Sequence, residues 1–403
     1  MEISKFSKKQ AEILKFAYSD EETIICDGAV RSGKTIVMSL AFVLWAMHNF
    51  DRTNFAICGK TVSNAERNIL RPFQQIEGTP FTLSYKISNR MLTVKCGKKE
   101  NYFYLFGGKD ESSYALIQGL TLAGVLFDEV ALMPKSFVDQ AIARTLSFKD
   151  AKIWFNCNPE SPHHWFYKEW IDNEERKYKR LHFLMEDNPI MGKEEIAKAE
   201  EKFTGVFYQR YILGLWVQAE GLVYPFFEKK VHCFDILPDG NYEWYVSVDY
   251  GTQNPCAMHL WAVDIYKNIA YLEREYYYDG REEQVLKTDS DYYKDLFDLC
   301  KGKRINNIII DPSAASFKAE IRKHGYFSCM NANNAVIDGI RNTASFIKAG
   351  KIRVNKDCEK TISEFGVYAW DAKSSEDKVI KENDHAMDSI RYMVHTVLRR
   401  LII

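Results

Sequence analysis

The first half of the chain alternates short apolar runs with longer segments in which apolar residues recur at helical spacing. Short runs that are apolar throughout are typical of strands in a parallel sheet that is covered on both faces. The predicted strands are Thr23–Cys26, Asn54–Cys58, Leu122–Phe127 and Lys152–Asn156, and helices such as Thr35–Met47 and Ser63–Ile76 lie between them. This alternation predicts an α/β fold with a mainly parallel sheet.

Two further patterns interrupt or follow this alternation. The segments Ser84–Ser88, Met91–Lys95 and Tyr102–Gly107 have the character of β-hairpins and predict an insertion in the sheet. Beyond Asn158 the pattern changes to charged helices, which we predict at Pro162–Lys177 and Lys193–Phe203.

A new pattern begins beyond Tyr242. It predicts a meander of three strands, a helix, a buried strand and a closing helix. These elements are Tyr245–Asp249, Ala257–Val263, Ile269–Tyr277, Glu283–Leu299, Asn307–Ile310 and Asp384–Leu398. A chain of 403 residues exceeds the usual size of one hydrophobic core. We therefore predict two α/β domains at 1–215 and 241–403, with a helical lid or linker subdomain at about 160–215 and a hinge at 216–240.

Composition and charge narrow the class of protein. The formal net charge is −1, which argues against a protein that passively coats DNA but allows a machine that grips DNA locally. The nine cysteines are scattered singly, so we expect reduced and mostly buried thiols. No apolar run is long enough to span a bilayer, and the first residues lack the pattern of a signal peptide, so we expect a cytoplasmic protein.

The strongest motif is a phosphate-binding loop. The residues Gly28, Ala29, Val30, Arg31, Ser32, Gly33, Lys34 and Thr35 match G-x-x-x-x-G-K-[ST] at every fixed position, between a predicted strand and a predicted helix. Glycines let backbone amides curl around phosphates, and the following helix adds its positive dipole end. Lys34 would contact the β- and γ-phosphates and Thr35 would bind Mg²⁺.

An acidic strand end supplies the second half of an ATPase site. The apolar strand ending at Phe127 continues into Asp128 and Glu129. In a P-loop (RecA/ASCE-like) ATPase, Asp128 would lie near the Mg²⁺ and Glu129 would polarise the attacking water. The sequence therefore predicts ATP hydrolysis.

Several weaker features surround this pair of motifs. Gln10 resembles the adenine-reading glutamine of helicase-like ATPases, although a solvated helix glutamine is nearly as good an interpretation. Asn156 and Asn158 follow a strand and could relay hydrolysis to a moving part. Arg31 and Arg144 are both candidates for an arginine finger, that is, for stabilising the transition-state charge.

The second half carries carboxylates at comparable places. Asp249 and Asp311 each end an apolar strand, and Asp384, His385 and Asp388 lie on the last predicted helix. An ordered set on strand, strand and late helix is the signature of an RNase H-like nuclease that holds two divalent ions, Mg²⁺ or Mn²⁺. Each aspartate alone would more often be structural, because aspartate also caps turns.

Taken together, the chain resembles the large terminase subunit of tailed bacteriophages over nearly its full length. The resemblance depends on the phosphate loop, the strand Gly124–Glu129, the tracts Asn156–Trp165 and Leu213–Phe227, and the motifs around Asp249, Asp311 and Asp384–Tyr392. It implies a P-loop ATPase domain followed by an RNase H-like nuclease domain. In family loops the position of the basic residues varies, so the resemblance does not select an arginine here.

The resemblance implies an ATP-driven motor that moves double-stranded viral DNA into the procapsid and a metal-dependent endonuclease that cuts the concatemeric genome. It implies Lys34 and Thr35 as ligands of phosphate and Mg²⁺, Glu129 as the activator of water, and Asn156 or Asn158 in coupling. Asp249, Asp311 and Asp388 would hold the nuclease metals.

The implied partners are DNA, the portal protein, a small terminase subunit and further copies in a ring on the procapsid. We expect that ring to be a pentamer of subunits that are monomers in solution, in the host cytoplasm and not in the mature virion.

Two other functions share these motifs. A helicase-type or restriction-type motor with a nuclease would normally add a second RecA-like domain, for which this chain has no room. An ATP-gated DNA-binding scaffold whose second domain has lost its metals is the other alternative. The intact set of acidic residues weighs against it.

Overall fold

The structure of the chain, a computed structural model, describes residues 6–251, 254–280, 282–372, 374 and 376–402. Residues 1–5, whose sequence lacks a signal-peptide pattern, lie outside the described residues. The chain forms two compact units. The first unit comprises Met1–Glu201 and Gly205–Gln218, and the second comprises Lys202–Thr204 and Ala219–Ile403.

The first unit is built on a mixed sheet whose order, within the described residues, is β3-β4-β5-β2-β6-β7-β1-β8. Its strands are β1 (Thr23–Gly28), β2 (Asn54–Gly59), β3 (Thr82–Lys86), β4 (Met91–Cys96), β5 (Lys99–Gly107), β6 (Gly124–Asp128), β7 (Lys152–Asn156) and β8 (Lys179–Phe183). The two pairs β3–β4 and β4–β5 are antiparallel. The pairs from β5 through to β8 are parallel. The predicted α/β class and the hairpin insertion are confirmed.

Helices cover both faces of this sheet. The helices with residues in the cores on these faces are α1 (Lys8–Phe16), α2 (Lys34–Asn49), α3 (Val62–Ala65), α4 (Arg71–Gln74) and α5 (Lys135–Ala143). Two more helices, α6 (Lys193–Lys202) and α7 (Gly205–Tyr211), follow β8 in the chain. Shorter 3₁₀ or π turns lie at Glu66–Leu70, Glu111–Ile117, Val130–Leu132, Tyr167–Ile171 and Met185–Asp187. Alternate residues of β1 enter different cores, with Ile24 packed on the α1 and α2 side and Ile25 on the α5 side. Strands buried on both faces explain why the sequence pattern is continuously apolar rather than alternating.

One predicted helix of the first unit is shorter than its sequence suggested. The segment Pro162–Lys177 is helical only at 165–171. Asn173 ends the helix, because its side-chain amide donates to the Glu169 carbonyl (3.3 Å) while its oxygen accepts from the amide of Glu175 (3.0 Å). Local side-chain bonds of this kind compete with helical ones. The edge strand β8 lay outside the prediction.

The second unit is built on a sheet whose order, in the part of the chain that the structure describes, is β14-β13-β10-β11-β12-β15-β9. Its strands are β9 (Cys233–Phe234), β10 (Glu243–Asp249), β11 (Cys256–Asp264), β12 (Ile269–Tyr278), β13 (Ile305–Ile310), β14 (Cys329–Asn331) and β15 (Ile352–Asn355). The meander β10–β11–β12 is antiparallel, and β13 pairs parallel with β10. The predicted meander and buried strand are confirmed.

Helices of the second unit pack on this sheet. They are α8 (Lys229–His232), α9 (Asp289–Leu299), α10 (Ala315–His324), α11 (Val336–Lys348), α12 (Glu359–Phe365), α13 (His385–Met393) and α14 (Arg399–Leu401), with a π turn at Val394–Leu398. The helix predicted at Glu283–Leu299 begins only at Asp289, because Thr288 caps it in a reciprocal pair with Asp291. The prediction did not include α10, α11 or α12.

All nine cysteines are free thiols. Within the residues that the structure describes, no helix combines the length and the apolar character that crossing a membrane requires.

Two candidate active sites

The phosphate-binding loop leaves β1 at Gly28 and enters α2 at Lys34. Gly28 has a φ of 125°, and a side chain there would collide with the backbone of Phe183. Gly33 precedes α2 with a φ of 80°, and an added Cβ would lie 2.6 Å from Gln10 Nε2. Both positions therefore require glycine, because each has a positive φ. At Gly28 the close approach of Phe183 on β8 is a second reason.

Lys34 points back into the loop. Its Nζ donates to the carbonyls of Ala29 (2.7 Å) and Gly28 (3.2 Å) and to Ser32 Oγ (3.1 Å). Asn158 Oδ1 accepts a fourth bond at 3.4 Å. Burial lowers the pKa of Lys34 to about 8. The buried ammonium group of Lys34 is thus surrounded by oxygen atoms. One of these oxygens belongs to Asn158, which the sequence predicts to act in coupling.

Asp128 lies at the carboxyl end of β6, opposite the first turn of α2. Its Oδ1 accepts from Thr35 Oγ1 (3.2 Å) and from Asn156 Nδ2 (2.6 Å), and its Oδ2 accepts from Asn68 Nδ2 (3.1 Å). Burial raises the pKa of Asp128, and these hydrogen bonds oppose the rise. The structure therefore brings together the two residues that the sequence predicts for Mg²⁺. Asn68 was missed, because only the fold places it near them.

Glu129 follows directly and has a left-handed backbone, with a φ of 58°. A non-glycine residue in this region is strained, and such strain occurs often at functional sites. The side chain is half-buried, and the 3₁₀ turn Val130–Leu132 begins immediately after it. Glu129 therefore lies at the turn between β6 and this short helix.

The order of the central strands explains why Asn156 joins this cluster. β7 lies between β6 and β1, and Asn156 is in register with both Asp128 and Cys26. Its Nδ2 donates to Thr35 Oγ1 at 2.8 Å as well as to Asp128. The two asparagines therefore contact consecutive residues of the loop, Asn156 through Thr35 and Asn158 through Lys34.

The other predicted residues have different positions. Gln10 is buried beside Gly33, and its Oε1 accepts from the amide of Ser7 (3.0 Å) as part of a capping box, so it is not a solvated residue. Arg31 is exposed with a φ of 56°, and its carbonyl accepts from Asn188 Nδ2 at 2.7 Å.

Arg144 does not join the loop of its own unit. It ends α5, and its carbonyl accepts from the amide of Leu122, just before β6 begins. Asp128 lies at the other end of β6, so this arginine is at the opposite edge of the sheet. The end of α5 thus lies beside the start of β6 and not beside its carboxyl end, where the loop's partner Asp128 lies.

A buried aspartate beneath the loop escaped the sequence analysis. Asp27 accepts from Arg180 at 2.8 and 3.0 Å and from the indole nitrogen of Trp216 at 2.9 Å. Hydrogen bonds from His182 and Arg180 hold the pKa of Asp27 low against its burial. The sequence did contain a sign of this contact, because Asp27 is the one acidic residue in the otherwise mainly apolar strand β1. It ties the tract around Trp216 to the strand that carries the loop.

The second cluster gathers residues from two strands and a helix. Asp249 ends β10 and Asp311 follows β13, its parallel neighbour. The hydroxyl of Tyr392 on α13 donates to Asp311 Oδ2 (2.8 Å) and lies 3.4 Å from Asp249 Oδ1. His385 Nδ1 lies 2.8 Å from Asp249 Oδ2. The two aspartates therefore face each other across one hydroxyl group, which the sequence analysis missed.

The electrostatics of this cluster follow from its burial. Burial raises the pKa of Asp249, against the hydrogen bond from His385. Burial opposes ionisation of His385 as well, but the hydrogen bond and charge of Asp249 outweigh it and raise the pKa of His385. At Asp311 the hydrogen bonds from Ser313 and Tyr392 outweigh burial and lower the pKa.

The remaining acidic residues are held by cations. Asp388 Oδ1 accepts from Arg391 Nη2 (2.9 Å), and its Oδ2 lies 3.3 Å from Lys381 Nζ. Lys381 also pairs with Asp384 at 3.0 Å. Asp384 is the residue before α13 rather than part of the helix. Among the described residues, no group of three or more histidine, cysteine, aspartate or glutamate side chains is placed to hold a metal ion.

A polar cavity of about 680 Å³ opens at this cluster. Its lining includes Asp249, Asp384, His385, Asp388, Lys381 and Glu364. Asp311 is not part of the lining and reaches the cluster through Tyr392. The cavity therefore presents carboxylates and a histidine beside a lysine, a surface suited to a charged substrate and its counterions.

Glu364 on α12 is a buried residue that the sequence analysis missed. Burial raises the pKa of Glu364 from 4.5 to about 7. Because the folded chain keeps a proton that the unfolded chain has released, stability should fall as the pH rises from about 4.5 to about 7, by up to about 3 kcal/mol. Glu364→Gln removes this titration. The wild-type chain should lose most of those roughly 3 kcal/mol between pH 5 and pH 8, whereas the Gln variant should not. The free energy of unfolding of the variant, measured relative to wild type, should therefore increase over this pH range.

Urea-induced unfolding of both chains at the two pH values measures the effect. Glu359→Gln, at an exposed position of the same helix, is the matched control. A stability difference that is the same at pH 5 and pH 8 would contradict the assignment.

Two family models match successive parts of the chain. Residues 25–231 match the family model "terminase large subunit, T4likevirus-type, N-terminal", and residues 249–396 match the model "terminase RNAseH like domain". No curated protein matches the chain.

Solved structures extend the likeness to nearly the whole chain. The large terminase of a thermophilic bacteriophage is 45% identical with a TM-score of 0.93, and the match covers 98% of this chain and 100% of that one. The same phage protein in complex with ADP is 44% identical with a TM-score of 0.90 and the same coverage. Its complex with ATP-γ-S is 44% identical with a TM-score of 0.89, again over 98% and 100% of the two chains. With an ATPase domain and an RNase H-like nuclease domain, the chain belongs to the family of large terminase subunits.

Proposed function

We propose that this terminase subunit uses ATP hydrolysis in its first unit to move double-stranded viral DNA into the procapsid, and cuts concatemeric DNA with its second unit. The observation that carries the proposal is the presence in one chain of a phosphate loop joined to an acidic strand end and of an acidic cluster at a polar cavity. In this proposal residues 1–215 are the ATPase domain with its lid at about 160–215, residues 216–240 the hinge, and residues 241–403 the nuclease.

The residues of the first cluster have distinct roles in ATP hydrolysis. The backbone of Gly28–Thr35 and the ammonium of Lys34 bind the phosphates, and Gln10 beside Gly33 contacts the base. Thr35 and Asp128 fit a hard cation such as Mg²⁺, because both offer oxygen and already contact each other at 3.2 Å. Complexes of the thermophilic phage protein with ADP and ATP-γ-S support nucleotide binding at the loop.

Glu129 is the proposed general base. It orients and polarises the attacking water, while Arg31 on the loop is the candidate for stabilising the transition-state charge. Asn156 and Asn158 contact Thr35 and Lys34, the two residues that would touch Mg²⁺ and phosphate. A change at the γ-phosphate would therefore reach β7 through these asparagines, which supports their role in coupling.

The second cluster fits divalent metal ions in its chemistry. Asp249, Asp311 and Asp388 offer hard carboxylate oxygens for Mg²⁺ or Mn²⁺, with Asp384 and His385 beside them. A pair of such ions, when bound, stabilises the attacking and leaving oxygens of phosphodiester hydrolysis. The chain's own residues contact these carboxylates, since Tyr392 bridges two of them and Lys381 and Arg391 pair with the third. These contacts would have to open for the carboxylates to bind metal.

The proposed partners follow from the family. They are double-stranded DNA, the portal protein, a small terminase subunit and further copies of this chain in a ring on the procapsid, proposed to be a pentamer. The work takes place in the host cytoplasm during virion assembly, outside the mature virion. Because Arg144 lies away from its own loop, it would contribute only to the site of a neighbouring copy.

A packaging assay tests the proposal. Procapsids with their portal, linear DNA and ATP are mixed with the chain, and DNA that resists DNase is measured. Wild type should protect DNA, whereas Lys34→Ala should protect at least tenfold less while still cutting plasmid with Mn²⁺. Asp388→Asn should protect DNA as wild type does but should not cut plasmid with Mn²⁺. Equal protection by Lys34→Ala and wild type would overturn the motor assignment, and plasmid cleavage by Asp388→Asn at the wild-type rate would overturn the nuclease assignment.

A further inference from the structure

Glu364 contacts the helix that carries the second cluster. Its Oε2 accepts from the backbone amides of Ala386 (2.8 Å) and Met387 (3.2 Å). These amides belong to the first turn of α13, where backbone N–H groups have no partner within the helix. The carboxyl group therefore completes the hydrogen bonding of this helix start from outside the helix.

The residue that would usually perform this task does not do so. Asp384 occupies the position before α13, but its side chain makes no capping bond there. Its carboxylate pairs instead with Lys381 at 3.0 Å. Glu364 on α12 thus takes over the capping role and leaves Asp384 at the cavity.

A buried polar network keeps Glu364 in place. Thr361, one turn earlier on α12, donates to Glu275 Oε2 at 2.7 Å and lies 2.8 Å from His259 Nε2. His259 Nδ1 lies 2.9 Å from the Oγ of Ser389, the residue after Asp388. Both nitrogens of a fully buried histidine are therefore used, and burial lowers the pKa of His259 to about 3, so the ring stays neutral. This network fixes α12 and α13 against the sheet.

Helix α13 carries three side chains of the cluster. His385 contacts Asp249, Tyr392 contacts Asp311, and Asp388 lies between them on the same helix. A small shift of the helix start would therefore move His385 away from Asp249. The carboxyl group of Glu364 also interacts with the hydroxyl of Tyr277 on β12.

We propose that Glu364 is a positioning residue of the nuclease reaction. By accepting hydrogen bonds from the first-turn amides of α13, it holds His385 and Asp388 in the places that cleavage requires. The inference rests on the proposed assignment of Asp249, Asp311 and Asp388 as the nuclease residues.

Steady-state cleavage of plasmid with Mn²⁺ by the full chain tests this role. Glu364→Ala and Glu364→Asp both lose the contact, the second because its side chain is one methylene shorter. We expect kcat to fall at least tenfold in both, with KM for DNA within about twofold of wild type. Glu364→Gln keeps an acceptor oxygen and should retain kcat within about threefold. ATP hydrolysis, which belongs to the first unit, should be unchanged in all three.

Two controls make the outcomes distinct. Glu359→Ala, at an exposed position of α12, should behave as wild type. Wild-type kcat in Glu364→Ala and Glu364→Asp would overturn the inference, as would a Gln variant as slow as Ala. Equal loss in all three variants together with loss of folded structure by circular dichroism would also overturn it, because the role would then be structural only. If Asp311→Ala cleaves like wild type in the same assay, the underlying nuclease assignment is wrong instead.

Discussion

Replacing Asp311 with alanine should abolish Mn²⁺-dependent plasmid cleavage while ATP hydrolysis remains close to wild type. Losing one carboxylate ligand of a metal pair removes several kcal/mol of transition-state stabilisation, which corresponds to a decrease of about 10³-fold or more. The ATPase residues lie in the other unit, so their activity should not change. Plasmid digestion with and without Mn²⁺, run beside a phosphate-release assay, measures both activities.

The design of the Asp311 variants can exclude a folding defect. Asp311 Oδ1 accepts from the amide of Ser313 at 2.6 Å, which shapes the turn before α10. Asp311→Asn keeps this acceptor but removes the charge, so it should be as inactive as the alanine variant while retaining the turn. Asp298→Asn, at an exposed position on α9, is the matched control. Full metal-dependent cleavage by both Asp311 variants would refute the nuclease assignment.

Replacing Glu129 with alanine should block ATP turnover but spare nucleotide binding. A positioned general base contributes roughly 10²- to 10⁴-fold to rate. Glu129 follows β6 and is not part of the loop Gly28–Thr35 that would bind the phosphates, so nucleotide binding should not depend on it. Phosphate release should fall by that factor, while the affinity for ATP-γ-S measured by calorimetry should stay within about threefold. Cleavage of plasmid with Mn²⁺ should be unaffected.

The strained backbone at Glu129 calls for a second variant. Alanine at a φ of 58° would be strained like any residue with a Cβ, so a shift of this turn could also disturb Asp128. Glu129→Gln keeps the size of the side chain and should be equally slow. Glu194→Gln, at an exposed position on α6, should hydrolyse ATP as wild type does. If either Glu129 variant loses nucleotide binding instead, its role as a base is wrong and a role in forming the site replaces it.

The phosphate loop was predictable because all its chemistry lies in consecutive residues. The strand, the glycine loop and the helix start follow one another in the chain, so Lys34 and Thr35 needed no knowledge of distant contacts. The carboxyl ends of neighbouring parallel strands meet at one edge, which is why Asp128 and Asn156 could be expected nearby. The same reasoning anticipated that Asp249 and Asp311 would meet.

Other contacts depended on which elements pack together. Asn68, Trp216 and Tyr392 lie far in sequence from the carboxylates that they contact, and their residue types carry no signal of their own. The position of Arg144 has the same origin, because the packing of α5 against the sheet decides where the end of this helix lies.

The sequence by itself determined the α/β class, the family, and two sets of candidate residues for ATP hydrolysis and DNA cleavage, because strand periodicity and contiguous motifs are local properties of a chain. Only the tertiary structure decided how the acidic residues are held. Packing brings Lys381, Arg391 and Tyr392 to the acidic residues of the second unit. It likewise brings Asn68 to Asp128 in the first unit. It also placed Glu364 at the start of α13. Hydrogen bonds and charge pairs act over a few ångströms in space, and folding alone sets which residues lie within that distance.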